Sequence, residues 1–376
     1  MTKKYLKFIS ILSLFAILLL FGTVGISASE ATCSSLSTSA FGFGKRSEVS
    51  SLTSDDLNAS ADLKDLKLYV GGMPFGVKFL TDGVMVVGFS DTARNVHNPA
   101  KAAGLRYGDI ILSVNGQNVT SASELNSLIG DGGKPFSLRY LRDGKTISVT
   151  VTPIFSATEG KYTAGIYVRD SGAGIGTVTF ICPKSQAFGG LGHGICDSET
   201  GRLIPMERGS VVDVRINGIV KGLSGSPGEV KGYFSSGKTG TLLKNTDCGV
   251  YGVLATLPKE IHGTPMSIAL RNAVKEGKAY VYTMLDSDQV EKYEVEISEI
   301  QRQATGNKCF TVKITDKRLL DKTGGIIQGM SGSPIIQNGK LVGAVTHVLI
   351  NDPTSGYGIF IENMLSAAQM PMAKAS

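Results

Sequence analysis

The sequence predicts a mainly β protein of two or three domains, and three observations carry that prediction. Turn signals recur about every 8–12 residues through most of the chain. Glycine is abundant, at 47 of 376 residues, while Trp is absent. Apolar and polar residues alternate through VVDVRINGIV, KAYVYTML, YEVEISEIQ and CFTVKIT, the period-2 pattern of half-buried antiparallel strands. Such strands suit a barrel or paired barrels. With 42% of its residues hydrophobic, the chain has enough apolar material for sizeable cores. The net charge of +6 is modest for this length, and the basic residues are scattered without interleaved aromatics. Nucleic-acid binding is therefore not supported.

Taken in order, residues 1–29 predict export. Lys3, Lys4 and Lys7 precede the apolar run FISILSLFAILLLF, and small residues follow. The apolar run, extended to Ile26, is long enough to span a bilayer as a helix. No sharp A-x-A site follows, which favours an anchor or a slowly cleaved signal. The positive end stays in the cytoplasm and places the remainder outside. Residues 30–65 are rich in Ser, Thr and Asp and predict an extended linker, with Lys45-Arg46 as an accessible basic cut site. The five cysteines (Cys33, Cys182, Cys196, Cys248 and Cys309) form no C-x-x-C, so a metal site is not expected. They read best as small buried hydrophobes. No H-E-x-x-H is present, which disfavours a metalloprotease, and no cofactor is implied.

Residues 66–155 change pattern. KLYVGGMPFGVKF gives a strand, a glycine loop and a strand, and VMVVGF continues them. AGLRYGDIILSVNG ends a short helix and leads a strand into an Asn-Gly turn. Ser121 with Glu124 three residues on is a capping-box signature for a helix over SASELNSLI. Asp143-Gly144 marks a type I′ hairpin. This stretch resembles a PDZ domain, a module that binds peptides by adding a strand beside its own. The resemblance implies a binding loop at Gly71, Gly72, Met73, Pro74 and Phe75, with the pairing strand starting at Gly76, Val77 and Lys78. GGMPFG departs from the usual loop of that module, so strand addition is expected more than carboxylate capture.

Residues 156–376 are strand-rich, with a helix candidate in SIALRNAVKEG. Two similar loops stand out, GLSGSP at 222–227 and GMSGSP at 329–334. A serine hydroxyl becomes a useful nucleophile only with a base to take its proton and donors to hold the oxyanion. The flanks choose between the loops. PGEVKGYFSSGKTG after Ser226 is polar and reads as a surface hairpin. PIIQNGKLVGAVTHVLI after Ser333 reads as two apolar strands around an Asn-Gly turn. The second arrangement resembles the nucleophile loop of chymotrypsin-like peptidases. It makes Ser331 the candidate nucleophile, with Gly329 and Ser331 N–H groups as the oxyanion hole and Ser333 as a structural hydroxyl.

Histidine is the usual base because its pKa lies near neutrality. Among His97, His193, His262 and His347, the glycine-packed His193 of FGGLGHG fits the order histidine, acid, serine. Spacing leaves three acids open: Asp316 fifteen residues before Ser331, Asp247 fifty-four after His193, and Asp197 close to His193.

FGGLGHG, TGGIIQGMSGSPIIQNGKLVGAVTHV and NDPTSGYGIFIENML together resemble the SpoIVB peptidases, exported serine peptidases of endospore-forming bacteria. The resemblance implies a PDZ domain followed by a chymotrypsin-like double β-barrel serine peptidase domain, behind an N-terminal signal or anchor helix. It implies His193, Asp316 and Ser331 as the catalytic set. It also implies self-cleavage near the N-terminus and cleavage of a membrane-bound regulator of an intramembrane metalloprotease, in the forespore intermembrane space, permitting late sigma-factor processing. An inhibitor protein is a further expected partner. The rival expectations are an inactive PDZ-bearing scaffold and a quality-control protease.

Overall fold

The computed structural model describes residues 63, 65–90, 98–129, 132–157, 160–198, 200–261, 263–285 and 289–369. The predicted export segment, almost all of the linker, His97, His262 and Cys33 lie outside the described residues. None of the described helices is long and apolar enough to cross a membrane.

Strand β1 (Lys67–Val70) precedes the long β2 (Pro74–Phe89), helix α1 (Pro99–Ala102), β3 (Ile110–Val114), β4 (Gln117–Asn118) and helix α2 (Ala122–Ile129). The hairpin β5 (Phe136–Arg142) and β6 (Lys145–Val151) follows, then β7 (Ile154–Ser156) and β8 (Lys161–Thr163). Next come β9 (Ile166–Ile181), β10 (Ala187–Gly190), β11 (Met206–Val220), β12 (Glu229–Thr246), β13 (Gly249–Leu254) and β14 (Met266–Ser267). The last third holds β15 (Gly277–Thr283), β16 (Glu291–Ser298), β17 (Phe310–Ile314), helix α3 (Lys317–Thr323), β18 (Pro334–Gln337), β19 (Lys340–Leu349), β20 (Asp352–Phe360) and helix α4 (Ile361–Ala368).

Two rings result. β9, β10, β13, β12, β11 and β2 pair in that order, and the β2–β9 pairing closes them. Phe75, Val77, Val178, Phe188, Val211, Leu242 and Val250 fill this first ring. β15, β16, β17, β20, β19 and β18 form a second closed barrel, packed with Val281, Val295, Val312, Ile335, Val345 and Ile359. Closure leaves these strands without free edges over their paired lengths.

A third, smaller unit sits between β2 and β9, and both strands are shared with it. Residues 74–80 of β2 pair with 171–177 of β9 in the first barrel, whereas 85–89 pair with 166–169 in the small unit. The register shifts between Leu80 and Met85. There Gly83 has φ +78°, and the buried Thr81 hydroxyl donates to its carbonyl at 2.6 Å. A Cβ on Gly83 would stand 2.5 Å from the Ile111 carbonyl oxygen, so this kink requires glycine. Beyond it, Val84, Ile111, Leu125, Phe136 and Leu138 build a separate core. The small unit thus shares β2 and β9 with the first barrel.

Local signals behave as their chemistry dictates. Asn115-Gly116, Asp143-Gly144 and Asn338-Gly339 all carry positive φ at both positions, the type I′ geometry. Ser121 accepts from Glu124 N–H at 3.1 Å at the start of α2. Two expectations change. SIALRNAVKEG forms β14 and turns instead of a helix, because buried Ile268 bridges to Leu341 and Ala269 N–H donates to the Leu341 carbonyl. PGEVKGYFSSGKTG does not fold back on itself but supplies one arm of the β11–β12 hairpin. From Glu229 onward it belongs to β12, paired with β11. Cys182, Cys196, Cys248 and Cys309 are free thiols.

Candidate active site

The loop GMSGSP enters β18 from a backbone held on all sides. Met330 is fully buried, and its N–H donates to the Ile327 carbonyl. Ser333 N–H returns to the Met330 carbonyl, and Gly332 N–H donates to the Val345 carbonyl at 2.8 Å. From the first barrel, Thr177 N–H donates to the Ser331 carbonyl at 2.9 Å, and the Thr177 hydroxyl donates to the Gly329 carbonyl at 2.7 Å. The carbonyls are thereby turned toward the protein. Gly329 and Gly332 take φ +100° and +94°, which lets the loop double back. Neither Gly329 N–H nor Ser331 N–H donates to another group among the described residues. These are the two donors expected for an oxyanion hole.

His193 follows β10 and stands beside β19. Its flank packs directly on the nucleophile loop and on β19. A Cβ on Gly332 would lie 2.4 Å from Leu191 N, and one on Gly192 would lie 2.9 Å from Thr346 Cγ2. The His193 and His347 rings stack, with centroids 4.9 Å apart. His193 Nδ1 lies 2.8 Å from the Gly194 carbonyl. A carbonyl only accepts, so this bond requires the proton on Nδ1 and leaves Nε2 as the accepting nitrogen of the neutral ring. Burial lowers the His193 pKa, partly offset by the Gly194 bond. The Ser331 hydroxyl donates to the Thr346 carbonyl at 2.7 Å, not to His193. Ser333 is fully buried, and its hydroxyl finds no partner among the described residues.

The acids separate clearly. Asp316 is the N-cap of α3, accepting from Arg318 N–H at 2.9 Å. It also accepts from Glu294 N–H and forms an ion pair with Arg318. The Arg318 guanidinium holds its carboxyl below the usual range. The hydrogen bonds and ion pair of the Asp316 carboxylate go to Arg318 and Glu294, and none of them is to His193. Asp197 is buried against Arg169 of β9 and accepts from Thr200 N–H at 2.8 Å. Asp247 sits at the β12–β13 turn beside the His193 loop. Sequence reasoning missed Thr177 and Thr346, for which no local signal exists.

The GLSGSP loop lies elsewhere. Ser224 donates to the Asn351 carbonyl and Gly225 N–H to the Ile350 carbonyl, which ties the loop to the β19–β20 turn. In the expected peptide site, Gly71 and Gly72 N–H donate to Thr179 and Val178 carbonyls, and the Met73 carbonyl accepts from Val178 N–H. Pro74, Phe75, Gly76 and Val77 pair with β9, and Gly76 and Val77 also pair with β11. That segment is a barrel stave with no edge to offer. The small unit has open edges at β6 and at Ile166–Asp170 of β9 among the described residues. Helix α2 lies alongside, its Ala122 N–H donating to Asp170 at 2.9 Å.

The profile of the SpoIVB peptidase S55 family matches residues 160–365, more than half of the chain. The chain belongs to the SpoIVB peptidase family. A PDZ domain profile matches residues 71–152 of this SpoIVB peptidase. Shorter stretches resemble other proteases. Zinc metalloprotease RasP of Geobacillus kaustophilus is 36% identical over 63 residues, covering 16% of this chain and 15% of RasP. Serine protease HTRA1 of Xenopus tropicalis is 37% identical over 92 residues, 24% of this chain and 18% of that protein. The matched segments thus span under a fifth of these relatives. Among solved structures, the active form of the Rv3671c protease of M. tuberculosis aligns with TM-score 0.30 and 14% identity, covering 55% of this chain and 76% of that one. The chain is thus mainly β and joins a PDZ domain to a SpoIVB peptidase domain.

Proposed function

We propose that this SpoIVB peptidase is an active, exported serine endopeptidase in which Ser331 is the nucleophile and His193 its base. The supporting observation is a shared neighbourhood on β19: the His193 ring stacks on His347, the Ser331 hydroxyl bonds the adjacent Thr346 carbonyl, and the Gly329 and Ser331 N–H groups are uncommitted among the described residues. The Ser331–Thr346 bond is a resting arrangement. Rotation about the Ser331 side chain turns its hydroxyl to His193, which takes the proton as the oxygen attacks the scissile carbonyl. The Gly329 and Ser331 amides hold the oxyanion, and each such donor is worth about 10²–10³ in rate. Protonated His193 then returns the proton to the leaving amine, and water, activated by the same ring, releases the acyl group. On the β18 side, β19 is unpaired past Ala344 except at the nucleophile loop. Residues 347–349 thus offer an edge for the substrate backbone.

Family membership supports a role in sporulation signalling: self-cleavage in residues 30–65, then cutting of a membrane-bound regulator of an intramembrane metalloprotease, which leads to late sigma-factor processing. Residues 1–29 deliver the enzyme to the forespore intermembrane space. The PDZ domain takes a peptide strand, from substrate or inhibitor, on the Ile166–Asp170 edge. The test compares wild type with Ser331→Ala and Ser224→Ala for self-cleavage. The expected result is an intact chain in Ser331→Ala alone. Processing that continues in Ser331→Ala and stops in Ser224→Ala reverses the assignment.

A further inference from the structure

We infer that the outer face of the first barrel holds a binding site for a phosphate group, carried by a soluble phosphoester or by a lipid headgroup. The inference stands apart from the peptidase reading above. Its basis is a cavity of about 650 Å³ where β9, β2, β11 and β12 lie side by side. Lys78, Arg208 and Lys238 line it, and no carboxylate does. Asp170 and Glu207, which precede Ser171 and Arg208 of the lining, stand outside the wall.

Strand register puts these groups together. Val77 and Phe79 are buried, and Lys78 and Leu80, which alternate with them along β2, are exposed. Lys78 pairs with Ala173 on one side and with Ser210 on the other, and Ser210 pairs with Thr241. Leu80 pairs with Arg208, so Arg208 is the diagonal neighbour of Lys78, within reach of a long side chain. Lys238 arrives opposite Val212, just past a register shift that bends the β11–β12 ladder. Leu80 and Ser171 are the last barrel pair before the kink, so the cavity grips β2 and β9 where both leave for the small unit.

These cations lack a counter-charge. The side chains of Lys78, Arg208 and Lys238 form no ion pair or hydrogen bond among the described residues, and the Ser210 and Thr241 hydroxyls are uncommitted there as well. Lys78 Nζ rests 5.1 Å from the centre of the Phe234 ring, which is a face and not an anion. Like charges on one face of a sheet repel, and an anion between them turns that repulsion into attraction. A phosphate group fits better than a carboxylate. It carries close to two charges and three strong acceptor oxygens. The Arg208 fork can take two of them, and the lysines and hydroxyls supply the remaining donors. The volume is that of a small-molecule pocket, which leaves room for an organic remainder beside Leu80 and Ala173.

The test uses the full chain in phosphatidylcholine nanodiscs and follows acetylation of single lysines by mass spectrometry. Glycerol 3-phosphate at about 10 mM, with ionic strength fixed by chloride, is expected to slow Lys78 and Lys238 by about fivefold or more, as a Kd of about 2.5 mM or tighter requires. Lys340, exposed on the second barrel, should keep its rate. Arg208→Gln should abolish the protection, and Arg208→Lys, which keeps the charge and loses the fork, should retain part of it. Lys238→Gln, read at Lys78, should weaken it independently. The second arm replaces part of the lipid with phosphatidylglycerol and adds no soluble ligand. Slowing in the first arm alone assigns the site to a soluble phosphoester, in the second alone to a headgroup, and in both to either source; each supports the inference. No slowing in either arm, equal slowing at Lys340, or protection that survives both Arg208→Gln and Lys238→Gln overturns it. Slowing by an Asp-rich peptide, with none from the phosphoester or the anionic lipid, assigns the face to an acidic protein segment and overturns it too.

Discussion

Gly332 offers the sharpest test of how the two barrels hold the nucleophile. A Cβ there would stand 2.0 Å from the Thr177 carbonyl oxygen and 2.4 Å from Leu191 N, where contacts under 3.0 Å must be relieved. Both atoms are backbone, and they bond to each other at 3.2 Å, so neither yields as a side chain would. In Gly332→Ala the loop must retreat by about 1 Å. The positive φ costs about 1–2 kcal/mol, and the overpacking about 1–3 kcal/mol. Gly339→Ala is the matched control: it has φ +72° but nothing within 4 Å. It should lose only the backbone part, leaving a difference of about 1–3 kcal/mol, or roughly 2–10 °C in thermal midpoint. A nucleophile displaced by ~1 Å loses roughly 10²-fold in rate. Scanning calorimetry and fluorophosphonate labelling of both variants read the two effects. If Gly332→Ala matches Gly339→Ala in both, the close approach does not set the nucleophile geometry and the reasoning fails.

Two further outcomes are expected. Burial, with His193 and Lys308 nearby, pushes His347 down to about 4. The unfolded chain, with a histidine near 6.5, then binds more protons than the folded one between those values. This contribution is fully present above about pH 6.5, is lost as pH falls toward 4, and is flat below. Allowing for solvent screening at a half-buried ring, it is about 1–2 kcal/mol. Urea denaturation of wild type and His347→Phe at pH 7.5 and 4 should show a steeper loss in wild type by that amount, and equal slopes reject the assignment. For the PDZ domain, hydrogen exchange with a library of free-C-terminus decapeptides should protect amides of Ile166–Asp170. Protection at Gly76–Lys78 instead would return the site to the first barrel.

What the sequence revealed was local. The Asn-Gly and Asp-Gly turns announce themselves because both positions need positive φ, and GMSGSP followed by two apolar strands identifies the serine loop within one stretch of chain. The pairing of β2 was not legible, because alternation in GMPFGVKFLTDGVMVVGF reports that a strand exists and not which neighbours it takes. One strand here serves two sheets, with the change hidden in Thr81–Gly83. SIALRNAVKEG has helix-forming residues, yet the contacts of Ile268 and Ala269 with β19 override them. Spacing left three acids open for a similar reason: what surrounds Asp316, the cap of α3 bonded to Glu294 N–H, depends on elements distant in the chain.

The sharing of β2 and β9 sets where this enzyme can be cut apart. A deletion drawn at residues 66 and 155 would take residues 74–80 with it and leave the first barrel one stave short. A clean excision has to cross both strands at the kink, after Thr81 and before Ser171. The two modules are therefore grafted through common wood, and a recombinant designed to exchange the PDZ portion must splice at that graft.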